Sequence, residues 1–185
     1  EKLCRNKALK AAVAKPEKVK LFLNVDGNII QDKAFIQGFT NRKAIKAGVP
    51  ASDIVFEITE RSDIENYQIL QQIMKHYADQ GYEIALDDVG AGHSGLNRVV
   101  NTTPDYLKAD IELVRDIHKY KKKEIMMKLL LDYCNATGAI LIAEGIETAE
   151  ELECLHSLGM HYGQGFFLGK PERAFGNVSD EAAEI

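Results

Sequence analysis

Short apolar runs rich in Val, Ile, Leu and Phe recur along the chain. They lie at Leu21-Phe22-Leu23-Asn24-Val25, Ile54-Val55-Phe56-Glu57-Ile58, Glu83 to Asp88, Tyr106 to Asp110, Ala139 to Glu144 and His161 to Phe167. Unbroken apolarity, rather than alternation, is the pattern of strands buried on both faces. Between several runs the period changes to that of a helix. Ile64, Tyr67, Leu70, Ile73, Met74 and Tyr77 fall on one helical face ahead of Gly81, and Ser62 or Asp63 can cap it. Thr148 and Glu151 form a T-x-x-E capping box before Leu152, Leu155 and Leu158, with Gly159 as the stop. A further helix runs around Glu124 to Tyr133, and Glu1 to Lys18 reads as the helix before the first strand. Strand centres spaced about 20 to 35 residues apart predict the α/β class, as a doubly wound sheet or a barrel.

Composition narrows the class without changing it. The 185 residues are 45% hydrophobic and 28% charged, ordinary for one domain with a sizeable core, so residues 1–185 read as a single domain. Within it, 172–185 reads as a frayed tail. The balance of 23 Lys+Arg against 28 Asp+Glu gives a net charge of −5, which repels phosphate backbones and excludes a general DNA or RNA binder. Cys4, Cys134 and Cys154 are too scattered for a disulfide framework or a cysteine zinc site and fit a reducing compartment. No apolar run reaches the ~20 residues needed to cross a bilayer. The run Lys119-Tyr120-Lys121-Lys122-Lys123-Glu124 reads as a solvated helix face.

Candidate chemistry comes from where polar residues fall. Asn24, Glu57, the pair Asp87-Asp88, Lys108, Glu144 and Gln164 all sit toward the C-terminal ends of successive strands. In parallel α/β folds those ends converge on one mouth, which in barrels is the site. Four carboxylates gathered there repel one another and need a counter-charge, which a divalent cation supplies. Carboxylate and amide oxygens are hard donors suited to Mg²⁺ or Mn²⁺, and none of the five histidines has metal-binding spacing. Adjacent Asp87 and Asp88 can bridge or split between two ions, the arrangement that activates a water against a phosphodiester. Lys108 can orient that water or meet phosphate oxygens.

Gly90-Ala91-Gly92-His93-Ser94-Gly95 also matches the G-x-G-x-x-G of dinucleotide sites. That reading is rejected, because Asp87 and Asp88 stand where a pyrophosphate would lie. In addition, Leu96 to Asp105, with Pro104, is too short for a crossover helix.

Five blocks together carry a resemblance: Phe56-Glu-Ile-Thr-Glu60, Asp87 to Leu96, Leu107-Lys-Ala-Asp110, Ala143-Glu-Gly-Ile-Glu147 and Gln164 to Pro171. In this order and spacing they resemble EAL domains, bacterial cyclic di-GMP phosphodiesterases built on a modified TIM barrel. The resemblance runs from about Leu21 to Pro171 and implies a TIM-like (β/α) barrel of the EAL type. It implies metal binding by Asn24, Glu57, Asp87 and Asp88, with Lys108 and Glu144 helping to hold the metals and the attacking water. It gives Gln164 a contact to that water or to substrate. Glu60 would brace the glycine loop containing Gly90 and Gly92, which shapes the metal site and the dimer contact, and Glu147 would stand behind the metal ligands.

The same resemblance implies hydrolysis of cyclic di-GMP to linear pGpG with two divalent cations, Mg²⁺ or Mn²⁺. It also implies a homodimer, upstream sensor or GGDEF domains, and a place in the cytoplasm or in the cytoplasmic part of a membrane-bound signalling protein. No E-A-L or E-V-L strand is present, so the chain is expected to start inside the domain, with six of eight barrel strands. For these residues alone, weak or no turnover is expected, and a non-catalytic cyclic di-GMP receptor or interaction module is the rival reading. Val89 and Ser94-Gly95, where the family usually has Phe and Ser-Ser, read as subfamily variation.

Overall fold

Strands form where the apolar runs lie. The computed structural model describes residues 2–25, 39–58, 67–90, 95–172 and 175–185. Its strands are β1 (Leu21–Val25), β2 (Ile54–Ile58), β3 (Glu83–Val89), β4 (Tyr106–Ala109), β5 (Ile140–Glu144) and β6 (Gly163–Gln164). Its helices are α1 (Lys2–Ala11), α2 (Phe39–Ala47), α3 (Tyr67–Ala78), α4 (Gly95–Asn101), α5 (Ile111–Val114), α6 (Lys121–Thr137), α7 (Ala149–Ser157) and α8 (Asp180–Ala183). The pairings of β1 with β2, β2 with β3, β4 with β5 and β5 with β6 are parallel, and strands alternate with helices, which is the expected α/β class. Six strands stand among the described residues, as read from the sequence. The chain divides into two compact units, Glu1–Leu86 with Arg98–Pro104, and Asp87–Asn97 with Asp105–Ile185.

In the first unit β2 lies between β1 and the start of β3, so all five of its residues are buried and its run is apolar throughout save for Glu57. Asn24 is the register partner of Glu57, and Glu57 of Ala85. Helix α3 buries Leu70, Ile73, Met74 and Tyr77, the face its spacing predicts; the proposed caps Ser62 and Asp63 lie outside the described residues. The Phe56 ring lies 4.3 Å from that of Tyr77 and 4.8 Å from that of Tyr82. Arg5 of α1 is buried with its guanidinium over the Phe56 ring and donates to Thr40 Oγ1 at 3.0 Å, so its charge is met by a π-face and a hydroxyl.

In the second unit β5 lies between β4 and β6, with Lys108 in register with Ile142 and Glu144 with Gln164. Helix α6 packs Met127, Leu130, Leu131 and Cys134 inward and leaves its Lys121–Lys123 start solvent-facing. The capping box of α7 forms as read: Thr148 Oγ1 accepts from the Glu151 amide at 3.3 Å, and Glu151 Oε2 accepts from the Thr148 amide at 3.2 Å. Among the described residues no helix is long and apolar enough to cross a membrane.

Two sequence expectations change. The run from His161 to Phe167 is strand only at Gly163–Gln164. Beyond it the chain crosses so close to the preceding loop that a Cβ on Gly165 would lie 2.1 Å from the Ile146 carbonyl oxygen. The backbone then turns, with the amides of Leu168 and Gly169 donating to the Gly165 carbonyl. Apolar side chains there cover a turn instead of extending a strand. The second change is α4, which starts at Gly95 and puts a seven-residue helix across much of the segment Leu96 to Asp105, read as too short for the crossover helix of a dinucleotide-binding unit. It is tied to the first unit, where Gln71 Nε2 donates to the Asn101 carbonyl at 2.6 Å.

The close crossing at Gly165 predicts that Gly165→Ala destabilises the fold by about 1–3 kcal/mol, the usual cost of overpacking against rigid backbone. A lowered midpoint in urea denaturation is the expected result. An unchanged midpoint would show that the crossing is looser than described.

Candidate functional site

Strand β3 delivers its two aspartates by breaking its own geometry. In a regular strand adjacent side chains point to opposite faces. Asp88, however, has φ +56, in the left-handed region that Asp tolerates better than most residues. With alternation broken there, Asp87, Asp88 and Glu144 each bring a carboxylate oxygen within 4.8 Å of one another. Gly90 follows at φ +107, where the Leu113 side chain would lie 2.7 Å from any Cβ. The Asp110 amide donates to the Val89 carbonyl at 3.1 Å and fixes the strand end.

Lys108 reaches this group from β4. Its Nζ lies 2.8 Å from Asp87 Oδ1 and 2.6 Å from Glu144 Oε1, and the residue is only 4% exposed. The register explains the meeting, because Lys108 pairs with Ile142 and Glu144 lies two residues further along β5 on the same face. A buried ammonium is tolerated only when paired, and here two carboxylates pair it. Burial pushes the Glu144 carboxyl up to about 7; Lys108 pulls the other way, and Asp87 adds to the rise.

The group opens on a cleft of about 460 Å³ whose lining includes Asp88, Asp110, Glu144, Glu147, Gln164 and Lys170. Gln164 stands beside Glu144 on the same rung and is exposed to the cleft. Glu147 precedes the cap of α7, pairs with Arg115 at 3.0 Å and also lines the cleft. Asp110, Phe166 and Lys170 had no assigned role in the sequence. Asp110 was legible as an N-cap before Ile111-Glu-Leu-Val, and its Oδ1 does accept from the Glu112 amide at 2.7 Å.

Within the first unit Asn24 and Glu57 share a rung; Asn24 is exposed and Glu57 is 7% exposed. Glu60 and Gly92 lie outside the described residues.

The donor set fits a divalent cation. Asp87, Asp88 and Glu144 offer hard carboxylate oxygens, which suit Mg²⁺, Mn²⁺ or Ca²⁺. Lys108 meets Asp87 and Glu144, and a divalent ion would supply further positive charge to a cluster of three acids. Lys108 Nζ already occupies a cation's position between two of the three acids.

A carboxyl raised from 4.5 to about 7 binds its proton more tightly in the folded state, so folding stability of the metal-free protein falls as pH rises from 4.5 to 7. The limiting slope for one group is about 1.4 kcal/mol per pH unit. Thermal melts in chelator between pH 5 and 8 are expected to show this decline, and Glu144→Gln is expected to flatten it. An equal decline in the variant would place the proton elsewhere.

Comparison with known proteins gives this geometry a family. The EAL domain family profile matches residues 2–171. Cyclic di-GMP phosphodiesterase PdeB of Shewanella oneidensis is 27% identical over 150 residues, 81% of this chain and 17% of that protein. Cyclic di-GMP phosphodiesterase PdeR of Escherichia coli is 33% identical over 115 residues, 62% of this chain and 17% of that protein. The chain thus spans about a sixth of the length of these relatives.

Among solved structures, the calcium and cyclic di-GMP complex of Klebsiella pneumoniae BlrP1 at pH 8.0 superposes with a TM-score of 0.87 at 30% identity, over 96% of this chain and 45% of that one. Its manganese and cyclic di-GMP complex at pH 9.0 gives 0.88 at 29% identity, over 96% and 46%. A standalone EAL protein of Vibrio cholerae, in its cyclic di-GMP bound form, gives 0.87 at 28% identity, over 100% of this chain and 78% of that one. With the family profile matching residues 2–171, and solved EAL structures superposing on this fold, the chain belongs to the EAL domain family.

Proposed function

We propose that this chain forms the catalytic part of a cyclic di-GMP phosphodiesterase that cleaves one phosphodiester by in-line attack of water, giving linear pGpG. The observation that carries the reading is Lys108 buried between Asp87 and Glu144, with Asp88 beside them, at the head of a cleft lined by Gln164. Relatives named as cyclic di-GMP phosphodiesterases, and solved relatives named as calcium or manganese complexes of cyclic di-GMP, support the substrate and a divalent cation.

Asp87, Asp88 and Glu144, with Asn24 and Glu57, would hold two Mg²⁺ or Mn²⁺ ions. When bound, the ions supply Lewis acidity to a water and to the phosphodiester oxygens. Lys108 holds the Asp87 and Glu144 carboxylates in place and presents a fixed positive charge toward the phosphate. Gln164, one rung from Glu144, aligns the water or the substrate through its amide. Glu60 would brace the loop holding Gly90 and Gly92, and Glu147, fixed by Arg115, would support the ligands from the cleft wall. The proposal extends to a homodimer acting in the cytoplasm under upstream sensor or GGDEF domains, for which the greater length of the relatives gives room.

Purified protein in excess over cyclic di-GMP, with Mn²⁺, is expected to release the linear dinucleotide slowly, as resolved by chromatography. Asp87→Asn, Glu57→Gln and Lys108→Ala should each cost about 10²-fold or more, the scale for a lost transition-state contact, with circular dichroism unchanged. Wild-type rates in these variants would remove those residues from the chemistry. Binding of cyclic di-GMP with no product would replace the enzyme by a receptor.

A further inference from the structure

Residues 172–185 lie beyond the family match, and the sequence gives them no reason to be ordered. The structure nonetheless ties 175–185 to the turn that follows β6. Ser179 is the knot: its amide donates to the Leu168 carbonyl at 2.8 Å, and its hydroxyl donates to the Phe167 carbonyl at 2.7 Å. The same Oγ accepts from the Ala182 amide at 3.2 Å and caps α8. Ala182 is buried, and Val178, Ala182 and Ile185 face Ile146, Leu155 and Leu168 across an apolar cleft of about 410 Å³. The turn held in this way, Gly165 to Gly169, carries Phe166 and joins Gln164 to Lys170, all three of which line the other cleft.

We infer that the C-terminal segment is a strap, with Ser179 as a positioning residue that sets the substrate-facing turn from Gln164 to Lys170. This rests on the reading of that cleft as the cyclic di-GMP site. The turn's internal bonds are short-range, from the Leu168 and Gly169 amides to Gly165, and leave the Phe167 and Leu168 carbonyls to the strap. Without the Ser179 hydroxyl the Phe167 carbonyl loses its partner and α8 its cap, which weakens the hold of the segment on the turn, although the amide at 179 still reaches the Leu168 carbonyl. The Ser179 bonds run to Phe167, Leu168 and Ala182, in and beside the turn, so loss of its hydroxyl should act on substrate binding and spare the acid cluster.

The test is Ser179→Ala with Ser179→Thr as the conservative partner, in the full chain, read by amide hydrogen exchange over 164–171 and by steady-state kinetics with Mn²⁺. Ser179→Ala is expected to speed exchange in that stretch and to raise KM for cyclic di-GMP about five- to tenfold, the effect of one or two modest hydrogen bonds, with kcat and Mn²⁺ affinity nearly unchanged. Ser179→Thr, which keeps the hydroxyl, should restore both. Unchanged exchange in Ser179→Ala would overturn the strap. Faster exchange with unchanged KM would leave the strap standing and remove the Gln164–Lys170 turn from the substrate site. Should Ser179→Ala fail to fold, Ala182→Asp, which opposes burial of the segment and so loosens the Ser179 bonds to the turn, takes the same two readouts: faster exchange over 164–171 supports the strap, and unchanged exchange overturns it.

Discussion

A single ammonium group organises the site. Lys108 Nζ, nearly sealed from solvent, must meet negative charge where it lies, and the only economical way to hold it is to bring Asp87 and Glu144 to it. The arrangement is over-supplied with acid, because Asp88 stands within the same 4.8 Å. Burial raises the Glu144 carboxyl to about 7 and Asp87 adds to the rise, and a divalent ion would oppose both. Three acids brought together around one ammonium are also what fits the cluster to a cation.

Backbone features near the site serve that meeting. The left-handed residue at Asp88 turns a strand end into a chelating pair, and Gly90 lets the chain leave between packed side chains. On the β5 side, Gly145 has φ +73 and lies where any Cβ would strike Ile111, so the loop after Glu144 presses onto the start of α5. Buried Glu151 then accepts the amides of Asp116, Glu147 and Thr148, joining the segment after α5 to the loop that carries Glu147. One capping-box glutamate therefore does more than start a helix; it ties together two segments of the cleft's surroundings.

Much of this was legible in the sequence, and the reasons are specific. β1 and β2 match their apolar runs to the residue, and in β2, flanked on both sides and buried throughout, no solvent face interrupts the pattern. The T-x-x-E box named the start of α7, since its chemistry is local. Asp87, Asp88, Lys108, Glu144 and Gln164 stood out as polar residues ending apolar runs, and the second unit gathers them. The failures were matters of tertiary contact. The turn at Gly165 is imposed by the backbone of Ile146, far back in the loop, and no local signal marks it. The order in 175–185 depends on carbonyls of Phe167 and Leu168 that only the folded chain presents to Ser179. Asp110 and Lys170 belong to the cleft through where the loops run; Asp110 was legible only as a helix cap, and Lys170 does not stand out by type.

The central claim is that the acid cluster around Lys108 is a divalent-cation site. Anomalous diffraction from crystals equilibrated with Mn²⁺ tests it most directly. The account predicts a manganese peak within coordination distance of Asp87, Asp88 and Glu144, lost in Asp87→Asn. Well-ordered crystals in saturating Mn²⁺ with no peak there, or with peaks only at other acidic surface groups, would contradict it.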